Sequence, residues 1–476
     1  VAPSAGELTL DECITVALEN NPDLQAAGGD REAAQAEARV KGAARWPNIH
    51  LTGSYFHYQD DQRLVQSSSS SVATYLTKNI ASADVVLRMP LYAGGRIVNE
   101  IRAADLLARA AEHTLARTRE ELVFNVSSTY FGILAQRHVI ESLEFSRETL
   151  RQHLERVENL IAAQKAAKVD ALRTEVRLAD LDQQLLQERN VLEIAHRFLA
   201  NLLGLDTNPP TGLALDDSLA LPESAPELDD ALAQAYRQRP DYAAASAALE
   251  AQAKRVDMAR GQREPEIVLE ASYGGRWGIG GSGEPAAQSS DSLTITRNPE
   301  SDELGVSGSS TRPLRAGNSI TTTRTDTAGA NSIRLTRSGI EAADDFEDVA
   351  RVGVTLDIPI FEGGRIRAQI SKERAQLHAA QQRLRQLELQ ISLEVETAML
   401  NLESARERVV VTQRSITEAE ESLRIEREKY DYGKGAIVDV LDAQAALLNV
   451  RTTHYRALAD MNVARAQLAL ATGDQQ

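Results

Sequence analysis

PLYAGGR at residues 90–96 returns as PIFEGGR at residues 359–365, and each copy opens a stretch that reads as one uninterrupted helix. Between Gly95 and Leu160 there is no proline and no turn cluster, and Gly132 is the only interior glycine. The copy from Gly364 to Tyr430 is about as long. About 66 helical residues at 1.5 Å each span roughly 100 Å. Apolar residues recur every seven positions in both, as Ile101, Ala108, Leu115 and Leu122, and as Ile370, Leu377, Leu384 and Ile391. Leu389, Leu393 and Leu400 add a second seam to the later helix. One seam seats one helical neighbour, so two seams require two. The paired glycines, Gly94 with Gly95 and Gly363 with Gly364, read as tight turns that need backbone angles other residues avoid. They lack the G-x-G-x-x-G or lysine-bearing spacing of a phosphate loop.

Beyond these helices the whole chain is written twice. Residues 10–55 align with 228–273 at a constant offset of 218, and residues 85–204 with 354–473 at an offset of 269. Leu10/Leu228, Pro22/Pro240, Pro47/Pro265 and Tyr55/Tyr273 match in the first block, and Pro90/Pro359, Asp170/Asp439 and Gly204/Gly473 in the second. The offsets differ by 51 residues, all of them between Tyr273 and Val354. Two long repeats predict two similar structural units, since solenoid periods are far shorter. Repeat 1, residues 1–226, is expected to carry strands at about 47–58 and 83–92, a long helix at about 95–160 and a return helix at about 170–203. Repeat 2, residues 227–476, has strands at about 265–275 and 349–360, an inserted loop at about 276–348, a long helix at about 364–430 and a return helix at about 437–472. The helix ahead of the strands and the return helix together nearly match the long helix in length. Each repeat is therefore expected to stack two shorter helices end to end beside one long one.

Composition narrows the function classes. The chain has 476 residues, and 52 basic against 69 acidic residues give a formal net charge of −17, which disfavours a nucleic-acid partner. Aromatics make up only 4%, as long helices rich in Ala, Leu, Glu, Gln and Arg would have. The single cysteine, Cys13, excludes an intrachain disulfide and a cysteine-based zinc site. No apolar run has the length of a membrane helix. The eight histidines are scattered, without an H-E-x-x-H pair, and no G-x-S-x-G occurs, so neither an enzyme nor a metal or other cofactor is expected. The sequence starts at Val1 without a methionine, which fits removal of a targeting segment.

The strands carry the second inference. Ile49, Leu51, Gly53 and Tyr55 alternate with His50, Thr52 and Ser54, and Val85, Leu87 and Met89 share one face of the next strand. Two strands per repeat give four per chain. Four strands cannot close a barrel, and an open sheet leaves bare edges. One solution is a membrane-spanning barrel closed by several chains, with Trp46, Tyr92 and Phe361 as interfacial aromatics at the strand–helix junctions. The other is a soluble sheet packed on helices. The insert is rich in Gly, Ser, Thr and Asn, with short alternating pieces at Leu293–Arg297 and Ser319–Thr325. It reads as a long surface loop ahead of a plug or partner site.

The stretch YDYGKGAIVDVLDA, Tyr430 to Ala443, resembles the TolC family of outer-membrane efflux channels in its tyrosine–glycine turn and its hydrophobic-Asp-hydrophobic-hydrophobic-Asp helix start. The Pro90–Arg96 and Pro359–Arg365 turns and the Asn-Pro-x-Leu step at Asn21–Leu24 are similar to the family's as well. The resemblance covers nearly the whole chain except the insert. It implies a mostly α fold with a small β part: a homotrimer whose long α-helical barrel crosses the periplasm and continues into a twelve-stranded β-barrel in the Gram-negative outer membrane. It implies an exit duct for a tripartite efflux pump or type I secretion system, with a periplasmic adaptor protein and an inner-membrane transporter as partners. It also places a gate at the narrow periplasmic end, with Tyr430 hydrogen-bonded near Asp170 to hold it closed. The turns at Gly433, Lys434 and Gly435 and at Gln164 and Lys165 would be the tips that meet the adaptor. This chain departs from the family at Gln164, where a glycine is usual, and at Gly435, where an arginine stands in a well-studied member. Cys13 is internal, so a lipid anchor on it is not expected.

Asp439 and Asp442 lie three apart at a helix start and share a face, and Asp170 is the repeat counterpart of Asp439. Acids there stabilise a helix N-terminus by roughly 0.3–1 kcal/mol whatever their function. In a trimer each would also form a ring of three carboxylates, which favours cations. A non-transport helical scaffold or surface structural protein is the competing class. It would need neither the acid pair nor the aromatic girdle.

Overall fold

A computed structural model describes residues 8–63, 76–164, 167–205, 215, 227–279, 289–297, 304–310, 319–327, 330–339 and 346–474. Its helices come in matched pairs. α1 (Leu10–Asn20) and α5 (Leu228–Gln238) have 11 residues each, and α2 (Pro22–Ala43) and α6 (Pro240–Gly261) have 22 each. α3 (Arg96–Ala162) and α7 (Arg365–Asp431) have 67 each, and α4 (Lys168–Leu202) and α8 (Ile437–Thr472) have 35 and 36. The breaks have local causes. Pro22 and Pro240 cannot continue a preceding helix but suit a first helical position, and Asn21 and Arg239 before them are extended.

The compact units follow the type of element. One comprises residues 1–41, 98–257 and 367–476 and holds the helices, and the other comprises 42–97 and 258–366 and holds the strands. Each sequence repeat therefore contributes to both.

In the helical unit α7 buries Ile391, Val395, Ala398, Leu402, Ala405 and Val409. This alternating three- and four-residue spacing meets Ala457, Met461, Ala464 and Leu468 of α8 and Ala231 and Ala235 of α5. α3 does the same with Val126, Tyr130 and Ile133 against Leu199 of α4 and Cys13 and Ala17 of α1. Burial pushes the Cys13 thiol up to about 11, so it is an inert core residue. Bonds along α7 order its neighbours: Gln252 of α6 on Glu373 (2.9 Å), Tyr236 of α5 on Glu388 (3.1 Å), and Thr412 against His454 of α8 (3.0 Å). Shorter helices thus follow one another along the long one. The first seam of α7 is covered, with Ile370 and Ile391 buried, but Leu389, Leu393 and Leu400 are 58–66% exposed.

The strand unit is an antiparallel sheet in the order β1 (Asn48–Arg63), β2 (Leu76–Ala93), β3 (Glu266–Ile279), β8 (Phe346–Asp357). Register puts Leu51, Val85 and Tyr273 in one row, and Ile49, Leu87, Ala271 and Val352 in another, on the same face. The opposite face pairs Arg88 with Glu270 at 2.6 Å and Ser54 with Ser82 at 2.8 Å. Among the described residues β1 and β8 have no strand along their outer edges. A register shift between Pro90 and Tyr92 marks where proline cannot donate to the ladder. The strands run past the expected ends, β1 to Arg63 and β2 from Leu76, because their outer parts are polar and carry no alternation.

The insert departs from the expected loop. It holds β4 (Ser289–Arg297), β5 (Leu304–Ser310), β6 (Ser319–Thr327) and β7 (Ala330–Gly339), paired in the order β5-β4-β7-β6. Thr and Ser dominate these strands, so β-branched residues favour extended backbone while only short alternating pieces, as at Leu293–Arg297, signal it. Among the described residues no helix is long and apolar enough to cross a membrane.

Candidate gate at the hairpin ends

The Gly-Gly turns adopt the left-handed backbone that sequence reading expects, with φ of 58° and 74° at Gly94 and Gly95 and 57° and 85° at Gly363 and Gly364. A Cβ on Gly94 would strike Glu264 and the Gly261 carbonyl, so that turn also needs the close approach. Trp46, Tyr92 and Phe361 are 61%, 46% and 87% exposed in the strand unit, and the Arg45 guanidinium lies 5.6 Å from the Trp46 ring centre.

At the other end of its helix, α7 stops through Gly433 (φ 70°), whose N–H donates to the Tyr430 carbonyl at 2.9 Å, while Lys434 and Gly435 donate to that of Lys429 at 2.8 and 3.1 Å. α3 ends the same way without glycine. Gln164 is left-handed at φ 59°, the only such non-glycine residue among those described, and its N–H donates to the Ile161 carbonyl at 2.9 Å. Lys165 lies outside the described residues.

Asp439 is exposed, and its Oδ2 accepts the Ala436 N–H at 3.2 Å, the helix-start role open to any acid there. Asp442 is exposed on the following turn of α8 with no bonded partner among the described residues. Asp170 is half-buried at the start of α4. Tyr430 packs among Val157, Ala171 and Ile437. Its hydroxyl is buried and makes no hydrogen bond to any described residue, so the link to Asp170 that the resemblance implies is not formed within the described chain. Burial first, then the charges of Asp170 and Asp431, raise the Tyr430 pKa and keep the phenol neutral.

Sequence reading missed four residues here. His153 of α3 is 9% exposed, its ring centre 5.5 Å from that of Tyr430, and its Nε2 is unpartnered. Burial, then Arg427 and Arg156, lower its pKa against the opposing pull of Asp431, so its neutral form is favoured. Gln444 is buried and bonded to Ser146, and Arg427 is half-buried. Arg173 stands in repeat 1 where Asp442 stands in repeat 2, a signal that alignment of the repeats does carry. Among the described residues no group of three or more His, Cys, Asp or Glu side chains is placed to hold a metal ion.

The family model described as "Outer membrane efflux protein" matches residues 13–205 and 325–474. The chain is 25% identical to the fusaric acid resistance protein FusA of Burkholderia cepacia over 374 residues, 77% of this chain and 58% of FusA. It is 25% identical to the cobalt-zinc-cadmium resistance protein CzcC of Cupriavidus metallidurans over 267 residues, 56% of this chain and 58% of CzcC. The match thus spans less than two thirds of either relative. The fold is like that of the outer-membrane channel OprN, with a TM-score of 0.73 at 19% identity over 98% of this chain and 90% of OprN.

Proposed function

Because the chain belongs to the outer membrane efflux protein family, we propose that it is the outer-membrane exit duct of a tripartite efflux pump or a type I secretion system, passing cargo outward without chemistry of its own. The observation that carries this reading is the sheet. One face is an apolar surface, including Ile49, Leu51, Tyr273, Val352 and Val354 at 61% exposure or more, and the other holds ion-paired and hydroxyl side chains. Apolar outside and polar inside is what a membrane barrel requires, and the open edges of β1 and β8 require partners. Three chains would give twelve strands. The uncovered seam Leu389–Leu393–Leu400 supports helix-to-helix contact between copies as well.

In the trimer Asp439 and Asp442 would form carboxylate rings at the periplasmic entrance, with Asp170 nearby. The turns at Gln164 and at Gly433–Gly435 would face an adaptor, and an inner-membrane transporter would supply the energy. FusA is named for fusaric acid and CzcC for three metals. A duct that holds its cargo weakly suits either, so the cargo follows the transporter.

Sedimentation and planar-bilayer recording test this. The purified protein is expected to sediment as a trimer and to open cation-selective conductances. A folded monomer would overturn the barrel, and trimers without conductance would favour a scaffold.

A further inference from the structure

A cleft of about 360 Å³ opens between α3 and α7 and is floored by α8. That is the size of a small-molecule site. Four arginines and three carboxylates line it. Asp431 is held by Arg156 at 3.1 Å, Glu428 by Arg424 at 2.6 Å and Glu420 by Arg451 at 2.5 Å. Arg427 is left over. It is half-buried and makes no ion pair or hydrogen bond to any described residue. Burial first, then the adjacent Arg156, disfavour its charge against the opposing pull of Asp431, which Arg156 already engages. An unpaired, partly desolvated guanidinium in a chain of net charge −17 is an unmet demand for an anion.

The second observation is Gln444, 5% exposed. Its amide N–H donates to the Ser146 carbonyl and hydroxyl at 3.0 and 3.3 Å, which leaves Oε1 buried and without a donor. Buried carbonyl oxygens are seldom left so. Leu423, Leu447 and Phe145 supply the cleft's apolar lining, beside the paired Arg451 and Glu420. The spacing follows from the pairings along α3. Ser146 meets Gln444 and Arg156 meets Asp431. Those levels are about 15 Å apart, Arg427 stands about 6 Å back from Asp431, and roughly 9 Å therefore separates the two unmet groups.

We propose that this cleft binds an elongated organic monocarboxylate. The carboxylate takes the Arg427 fork, the apolar body lies on Leu423 and Leu447, and a hydroxyl or amide N–H at the far end donates to Gln444 Oε1. The site lies in the helical wall and its occupancy does not depend on conduction, which the bilayer experiment reads separately.

The test is equilibrium dialysis of the intact protein in amphipol, so that no detergent micelle takes up the probe. The probes are 4-(4-hydroxybutyl)benzoate, its carboxamide, and 4-pentylbenzoate. The hydroxy acid is expected to bind about ten-fold tighter than the carboxamide and about three-fold tighter than the pentyl acid. Arg427→Gln should weaken the acid about ten-fold, and Leu447→Trp should close the cleft with Arg427 intact. Arg414→Gln, exposed on the same helix, should change nothing. Equal binding of acid and carboxamide to the unaltered protein, or no binding of any probe, overturns the proposal without recourse to a variant. So does an equal loss in Arg414→Gln, which would mean surface ion exchange.

Discussion

Ile161 to Arg173 and Tyr430 to Asp442 occupy equivalent places in the two repeats, with the same backbone and different chemistry. Gln164 and Gly433 are both left-handed, and both donate to the carbonyl three residues back at 2.9 Å. Yet Ile161 stands opposite Tyr430, and Arg173 opposite Asp442. The helix joints differ in the same way. Asn21 donates to the Leu202 carbonyl at 2.9 Å, and Arg239 reaches the equivalent Ala471 carbonyl at 3.2 Å. Asn21 stops there and caps α2 through Asp23 and Leu24. Arg239, 2% exposed, also grips Asp241 at 2.6 Å and Glu394 at 2.7 Å. The two copies share where the backbone turns and differ in charge: the joint's ion pairs and the second acid of the candidate gate belong to the second copy. In the proposed trimer the two kinds of helical hairpin would alternate around the mouth.

The joints offer the largest expected effect. Arg239→Met strands two carboxylates that still reach water, so it is expected to destabilise the helical unit by about 3 kcal/mol, the low end for a broken buried pair. Asn21→Ala loses a cap and one bond and should cost about 1 kcal/mol. Thermal melting by circular dichroism compares them. Equal losses would mean that the Arg239 cluster adds nothing beyond a cap. Burial pushes the Asp241 carboxyl up and the Arg239 bonds and charge more than reverse it, leaving its pKa lowered. The cluster's contribution is therefore complete above pH 3.8, the carboxyl's ordinary value, and falls away as the pH drops through the lowered one.

At the tips the comparison turns on charge. Asp439→Asn with Asp442→Asn is expected to abolish cation selectivity, read as a reversal potential near zero in a salt gradient, whereas Arg173→Gln in the other copy should sharpen it. An unchanged reversal potential in the double variant would return both acids to a helix-start role. Tyr430→Phe removes a buried hydroxyl that has no partner among the described residues. It should leave the closed state as tight or tighter, and a rise in conductance would show that the hydroxyl finds a partner in the assembled protein.

His153 gives the tip of repeat 1 a pH response. The groups around it are Arg156 on its own helix and Tyr430, Arg427 and Asp431 on α7, with Asp170 of α4 and Gln444 of α8 at the same end. Its folded pKa is lowered from 6.5, so the stability it contributes is whole above that pH and is lost as the pH falls through the depressed value. The melting temperature should drop on acidification, and His153→Phe should flatten the drop. A drop of the same size in the variant would assign the response to other groups.

How much of this was legible follows from the range of each signal. The long helices were read within two residues, 95–160 against Arg96–Ala162, because missing prolines and heptads are local properties. The four-stranded sheet was legible where apolar and polar residues alternate. It faded beyond Tyr58, where Gln59 to Arg63 is polar throughout, and the second sheet showed only as two short alternating pieces, Leu293–Arg297 and Ser319–Thr325, because its Thr- and Ser-rich strands carry few apolar residues. The gate acids were visible as a spacing on one helix. The cleft was not, because Ser146, Arg427 and Gln444 sit on three helices and only their packing reveals which polar atoms go unmet. The missing Tyr430 bond is the converse: a resemblance carried over a contact that this chain's own side chains do not make.

The smallest expected effect is the sharpest test of the backbone half of the comparison. If both tips need a left-handed residue, Gln164 is strained and Gly433 is not, since a side chain at positive φ costs roughly 1 kcal/mol that glycine avoids. Nothing lies within 4 Å of a Cβ built on Gly433, so a side chain there would meet only the backbone penalty. Gln164→Gly should therefore stabilise the α3–α4 hairpin by about 0.5–1 kcal/mol, less the entropy glycine restores to the unfolded chain, and Gly433→Gln should destabilise the α7–α8 hairpin by about 1 kcal/mol. The double exchange should come out near neutral, because the tips belong to different hairpins and share no partner. Hydrogen exchange at the Gln164 and Gly433 amides reads each tip alone. Slower exchange at residue 164 in the glycine variant is the expected sign. Faster exchange there would mean that the glutamine side chain holds the turn itself, and that the two tips keep one backbone by different means.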